Sequence, residues 1–159
     1  MDLAQDWQER LTGKDCPLCR QPLENAICRL SSGTVRLVPD GNFPGYCILV
    51  AHRHVIEVPD LAPSEQRQWM SDMVSLIRAV QSVCAPQKIN IAMLGNEVPH
   101  LHCHIIPRYF EDGYWGKPIW LRPAEKSLQL SNEQRESLRR KLLERLALEP
   151  GFIALSTGG

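Results

Sequence analysis

Apolar and polar positions repeat with two different periods along this 159-residue chain, and each period implies an element. Leu3, Trp7 and Leu11 recur every four residues before Gly13, the one-stripe pattern of a short N-terminal helix expected to pack on the body of the domain. Ala26 to Leu30 and Val35 to Val38 flank Ser31-Ser32-Gly33 and predict a hairpin, and Tyr46 to Ala51 predicts a third, more buried strand. After Pro63, the positions Trp69, Met70, Met73, Val74, Ile77, Val80 and Val83 keep helical spacing for about six turns, with Pro86 just beyond the end. Ile89 to Leu94 and Leu101 to Ile106 predict two further strands. Ser131 with Gln134 forms a capping-box pattern ahead of a helix striped by Leu138, Leu142 and Leu146, whose Arg139-Arg140-Lys141 run reads as a solvated face. Strands, a long helix, strands and a final helix predict an α+β layered domain with antiparallel pairing.

The length fits one domain over residues 1–159, large enough to bury a core without staples. Lysine plus arginine equals aspartate plus glutamate, 18 of each, so the chain lacks the basic field that duplex nucleic acid or an acidic membrane surface requires. A small phosphorylated ligand held by a local site fits better. No apolar run approaches the roughly 20 residues of a membrane helix, and Asp2, Asp6 and Glu9 replace the basic start of a signal peptide. The expected compartment is therefore the cytoplasm. Six cysteines, at positions 16, 19, 28, 47, 84 and 103, are expected as reduced thiols or metal ligands, several of them small core residues.

The densest chemistry lies in His100-Leu101-His102-Cys103-His104-Ile105-Ile106-Pro107-Arg108. In a strand, successive side chains point to opposite faces, so His100, His102 and His104 are expected to share one face. Three of only five histidines at strict alternation mark a catalytic or metal-binding candidate. A neutral imidazole offers a lone pair near pH 7, and the phosphoramidate that it forms on phosphorus is labile enough to be hydrolysed again. Cys16-Pro17-Leu18-Cys19 is a CxxC pair, which can hold zinc, exchange disulfides or do neither.

This histidine run, with Asn90 to Pro99 leading in and Pro107-Arg108 leading out, resembles the histidine-triad (HIT) superfamily of nucleotide hydrolases and transferases, and the likeness extends over about residues 16–120. It implies an antiparallel sheet of about five strands with one long helix, to which residues of about 121–150 add a C-terminal helical extension. It further implies a homodimer in which His102 is the nucleophile, while His100 and His104 bind phosphoryl oxygens and help the leaving group. Asn96 and Asn90 are the implied phosphate-binding amides, with a turn-capping role as the alternative. Asp40, with Asn42 as substitute, is the implied acceptor for ribose hydroxyls, where a turn reading serves equally. Members with an N-terminal CxxC complete a structural zinc site in a way that Cys16, Cys19, His54 and His100 match, leaving His52 on the surface. Trp115 and Trp120 lie over a base, at an interface or in the core.

Glutamine often replaces the third histidine in transferases and phosphorylases of the superfamily, so His104 favours a hydrolase. The expected reaction is cleavage at the α-phosphate of a dinucleoside polyphosphate or nucleoside phosphoramidate through a nucleotidyl-histidine, with no organic cofactor. Nucleotidyl transfer, phosphorolysis and non-catalytic nucleotide binding remain the alternatives.

Overall fold

The computed structural model describes residues 2–20 and 22–156. Helix α1 (Leu3–Leu11) starts where the Asp2 carboxylate accepts a hydrogen bond from the Gln5 N–H at 2.8 Å and ends near Gly13. A one-turn helix α2 (Pro17–Arg20) carries the CxxC pair. Strands β1 (Ala26–Arg29), β2 (Gly33–Leu37) and β3 (Cys47–Ala51) precede the long helix α3 (Pro63–Cys84), and β4 (Lys88–Ala92) and β5 (His102–Arg108) follow it. Helix α4 (Asn132–Leu146) begins at the predicted capping box, with Ser131 and Gln134 bonding each other's backbone N–H groups.

The strands form one antiparallel sheet in the order β1-β2-β3-β5-β4. Its register sorts the side chains by face. Val35, Leu49 and Cys103 line up across three strands, as do Leu37, Cys47 and Ile105, and these rows are buried against α3. Trp69, Met73, Leu76, Ala79 and Val80 cover that face, and Leu142 and Leu146 of α4 close it over β1. The opposite face carries Arg36, Ile48, His104 and Ala92 in one row and Thr34, Val50 and His102 in the next. No helix of the described residues is long and apolar enough to cross a membrane.

Between the helices and the β1–β2 turn lies a buried polar latch. The Asp72 carboxylate accepts from Ser32 N–H at 2.7 Å, Ser32 Oγ–H at 2.6 Å and Gln68 Nε2–H at 2.9 Å, while Ser75 Oγ–H donates to Glu149 at 2.9 Å. Each buried oxygen therefore has the partner that burial demands.

Four details differ from the sequence expectation. Met93 and Leu94 leave the sheet after Ala92 and are exposed, because Gly95 at φ +82° turns the chain away. Strand β5 starts at His102, so two histidines rather than three share the open face. Arg139 is half-buried and donates to the Ala26 carbonyl at 3.1 Å, whereas Arg140 and Lys141 are exposed. Finally, α1 packs only in part, with Trp7 and Leu11 half-buried but Leu3 85% exposed, and polar contacts add to its hold, with Arg10 donating to the Glu97 carbonyl at 2.6 Å and His54 Nε2–H to the Leu11 carbonyl at 3.2 Å. Urea unfolding is expected to show this difference: Leu76→Ala should lose about 2–5 kcal/mol of stability and Leu3→Ala less than about 0.5 kcal/mol.

Candidate active site

The His102 ring is oriented by its own strand. Its Nδ1 lies 2.6 Å from the His100 carbonyl oxygen, so Nδ1 carries the proton and donates it, leaving the Nε2 lone pair free. His104, two residues along the same face, packs edge-on with ring centroids 4.9 Å apart. Its Nδ1 is 2.6 Å from the Tyr46 hydroxyl, and the indole of Trp120 stands edge-on to its ring at 5.3 Å. Burial, and then the neighbouring His102, push the His104 imidazole down to about 4, so it is neutral at physiological pH.

His100 turns away from this pair. It is 2% exposed, and both of its ring nitrogens are engaged: Nε2–H donates to the Ala51 carbonyl at 2.8 Å, and Nδ1 faces Cys16 Sγ at 3.5 Å and Cys19 Sγ at 3.4 Å. His54 repeats the arrangement, with Nε2 on the Leu11 carbonyl and Nδ1 3.6 Å from Cys19 Sγ. The ligand atoms of Cys16, Cys19, His54 and His100 all lie within 4.8 Å of one another. Two sulfurs and two Nδ1 lone pairs, each imidazole oriented through Nε2 by a backbone carbonyl, match the donor set of a structural zinc site. The sulfur-to-nitrogen separations also match the edge of about 3.5 Å that zinc–ligand bonds of about 2.3 and 2.0 Å give a tetrahedron. Burial lowers the affinity of His100 for protons, which favours the neutral ligand form. Gly13 makes the fit possible: at φ +73° a Cβ would come within 2.8 Å of the His54 ring.

The remaining expected site residues are dispersed. Asn96 is exposed on the loop after Gly95. Asn90 lies on β4, where its Oδ1 accepts from Arg108 Nη1 at 2.7 Å. Asp40 is buried, accepting from Asn42 N–H at 2.9 Å and pairing with Arg122 at 2.8 Å; Asn42 Oδ1 accepts from Arg122 and from Leu128 N–H. Both therefore tether the segment after β5 to the β2–β3 loop. Trp115 packs on Phe110 with centroids 4.6 Å apart.

Three contributors were given no role at the site from the sequence. Tyr46 lies two residues before Ile48, which neighbours His104 in the sheet, so strand alternation carried its signal. Arg108 is 2% exposed and binds Asp112 through two hydrogen bonds, at 2.7 and 3.2 Å, as well as the Lys117 and Tyr114 carbonyls. The i,i+4 spacing of Arg108 and Asp112 was its only local mark. Arg122, over the Phe43 ring at 5.3 Å, had none.

Residues 25–111, more than half of the chain, match the HIT domain family, and the chain belongs to it. It is 32% identical over 85 residues to the asymmetrical bis(5'-nucleosyl)-tetraphosphatase of Schizosaccharomyces pombe, covering 50% of this chain and 46% of that protein. It is 31% identical over 75 residues to an AP-4-A phosphorylase of Mycobacterium tuberculosis, covering 43% and 38% respectively. The chain thus spans less than half the length of these curated relatives. Among solved structures, a histidine triad protein from Bradyrhizobium japonicum superposes with a TM-score of 0.71 at 31% identity, covering 77% of this chain and 92% of that one. One from Marinobacter aquaeolei gives 0.70 at 27% identity, covering 89% and 95%.

The depressed His104 value makes a stability prediction. The ring stays neutral in the fold down to about pH 4, whereas the unfolded chain protonates it below the ordinary 6.5, so the unfolded state binds more protons in that window. This contribution is complete above pH 6.5 and is lost as the pH falls through about 4. Denaturant midpoints measured from pH 7 to pH 4 should decline less steeply for His104→Gln than for the wild type.

Proposed function

We propose that this protein is a nucleotide hydrolase that cleaves a dinucleoside polyphosphate, or a nucleoside phosphoramidate, at the α-phosphate through a nucleotidyl-His102 intermediate. The observation that carries this reading is the 2.6 Å bond from His102 Nδ1–H to the His100 carbonyl. It leaves Nε2 unprotonated on the open face of the sheet, the condition for imidazole to attack phosphorus. Attack forms the Nε2–phosphorus bond and releases the remainder of the substrate. Water then breaks that bond and returns the ring to its starting state. His104 contributes a hydrogen bond to the departing oxygen: when Tyr46 O–H donates to Nδ1, the ring's proton sits on Nε2. The names of the fission-yeast and mycobacterial relatives support dinucleoside polyphosphates as the substrate class, and the retained third histidine favours water over phosphate as acceptor.

In this reading Cys16, Cys19, His54 and His100 hold a structural zinc, which fastens α1 and α2 to the start of β5 and fixes the carbonyl that orients His102. The metal supplies rigidity, and the reacting groups are the chain's own. Metal-binding thiolates suit a reducing compartment, which supports the cytoplasm. The subunits are proposed to form homodimers: β4 is an edge strand, and Ile91, Met93 and Leu94 on and beside it are 44–55% exposed.

Three measurements test the reading. His102→Ala should abolish mononucleotide release from diadenosine tetraphosphate while nucleotide affinity stays within about tenfold, since covalent attack is lost and the binding shell remains. A residual rate above a few per cent of wild type would rule the mechanism out. Elemental analysis should find about one zinc per chain, lost in Cys16→Ser together with several degrees of thermal stability. Substoichiometric zinc and no response to added metal would overturn the metal assignment. Adding inorganic phosphate separates phosphorolysis from hydrolysis, because cleavage of diadenosine tetraphosphate at the α-phosphate yields ADP and ATP with phosphate as acceptor but AMP and ATP with water.

A further inference from the structure

Strand β5 is flanked by β3 and β4, and on the open face each neighbour borders its own concavity. On the β3 side, a cavity of about 320 Å³ is lined by Ile48 of β3, by Arg36 to Pro39 of β2 and the turn after it, and by Pro22, Glu24 and Asn25 ahead of β1. On the β4 side, a larger cleft of about 590 Å³ is lined by Lys88, Asn90 and Ala92 of the strand and by Trp115, Lys117 and Trp120 of the segment after β5. Ala92 is the register partner of His104, and Trp120 contacts the His104 ring, so this cleft opens directly beside the third histidine.

The chemistry of the cleft is specific. Trp115 and Trp120 are 42% and 49% exposed, an unusual display of two indoles toward water in one recess. Lys88 and Lys117 are exposed, and no aspartate or glutamate is among the described residues lining it. Arg108, at its base, is neutralised by Asp112, so the unbalanced positive charge is that of the two lysines. Flat aromatic surface with basic groups and no acid complements a ligand with an aromatic base and phosphates. Its volume falls in the range that encloses a small-molecule ligand.

We infer that the β4-side cleft is the subsite for the second nucleoside of a dinucleoside polyphosphate, the half that departs, with its base against Trp115 and Trp120 and its phosphates near Lys88 and Lys117. This rests on the hydrolase reading of His102. The first nucleoside then lies on the β3 side, and the polyphosphate crosses the strand at His102 and His104. The departing oxygen emerges on the His104 side, where that ring's hydrogen bond is available.

Calorimetric binding tests this without requiring turnover, using a non-hydrolysable diadenosine tetraphosphate analogue and, separately, AMP. Wild type should bind the analogue at least tenfold more tightly than AMP, with quenching of tryptophan fluorescence that AMP alone does not produce. Trp115→Ala with Lys117→Ala, both exposed positions, should reduce that affinity ratio about tenfold, and Trp120→Ala should do the same. Equal affinity of wild type for the two ligands, or an unchanged ratio in the variants, overturns the subsite. If the ratio behaves as expected but His102→Ala retains activity, the catalytic reading fails and the subsite stands. If His102 is essential and the ratio is flat, the subsite fails and the catalytic reading stands.

Discussion

The arrangement of this molecule turns on the position of one residue, His100, whose side chain and main chain point to different sites. Its imidazole is held at both nitrogens, by the Ala51 carbonyl and by the Cys16 and Cys19 sulfurs, while its carbonyl oxygen takes the Nδ1–H of His102. A buried imidazole with both nitrogens satisfied cannot rotate without stranding a polar atom, which costs about 1–3 kcal/mol for each. The peptide bearing the carbonyl is immobilised with it. The tautomer of His102, and so the availability of its Nε2, follows from a residue that never faces the open side of the sheet.

The same economy extends to the flanks. α1 half-buries only Trp7 and Leu11 of its apolar stripe, and it is anchored as well where Arg10 reaches the Glu97 carbonyl and His54 reaches the Leu11 carbonyl. Cys16, Cys19, His54 and His100 there form a cluster that could hold a metal ion, and a metal bound to all four would tie α2 to the segments that carry the two histidines. On the other side of the histidine strand, Arg108 gathers Asp112, Asn90 and the Lys117 carbonyl, so the chain after β5 is pinned back over the sheet. Arg122 with Asp40 and Asn42 repeats the device further along. These two arginines hold back the segment that carries Trp115 and Trp120, so that Trp120 stands beside His104 and a cleft opens on the β4 side of the histidine strand.

Helices and strands were legible because their determinants are local. The spacing of Trp69, Met73 and Val80, the Ser131 and Gln134 cap, and the alternation through Cys103 and Ile105 are properties of short windows, and the structure repeats them to within a residue or two. His102 and His104 sharing a face follows from strand geometry alone. The cysteine pair and its two histidines come together in space as the family resemblance implied.

Where local pattern and structure parted, contacts between distant residues had the last word. Alternation put His100 on the face with its neighbours, but the buried sulfurs of Cys16 and Cys19 and the carbonyl of Ala51 draw it out before the strand begins. The stripe of Leu3, Trp7 and Leu11 promised a packed helix, yet only Trp7 and Leu11 are half-buried and Leu3 is left exposed, while distant carbonyls and polar side chains fasten α1 to the body. Tyr46 and His104 are 58 residues apart, and Arg122 and Asp40 are 82 apart. No window of sequence holds both members of such a pair. Periodicity records which face of an element is apolar, whereas the partner of a polar side chain depends on which elements the completed fold brings alongside it.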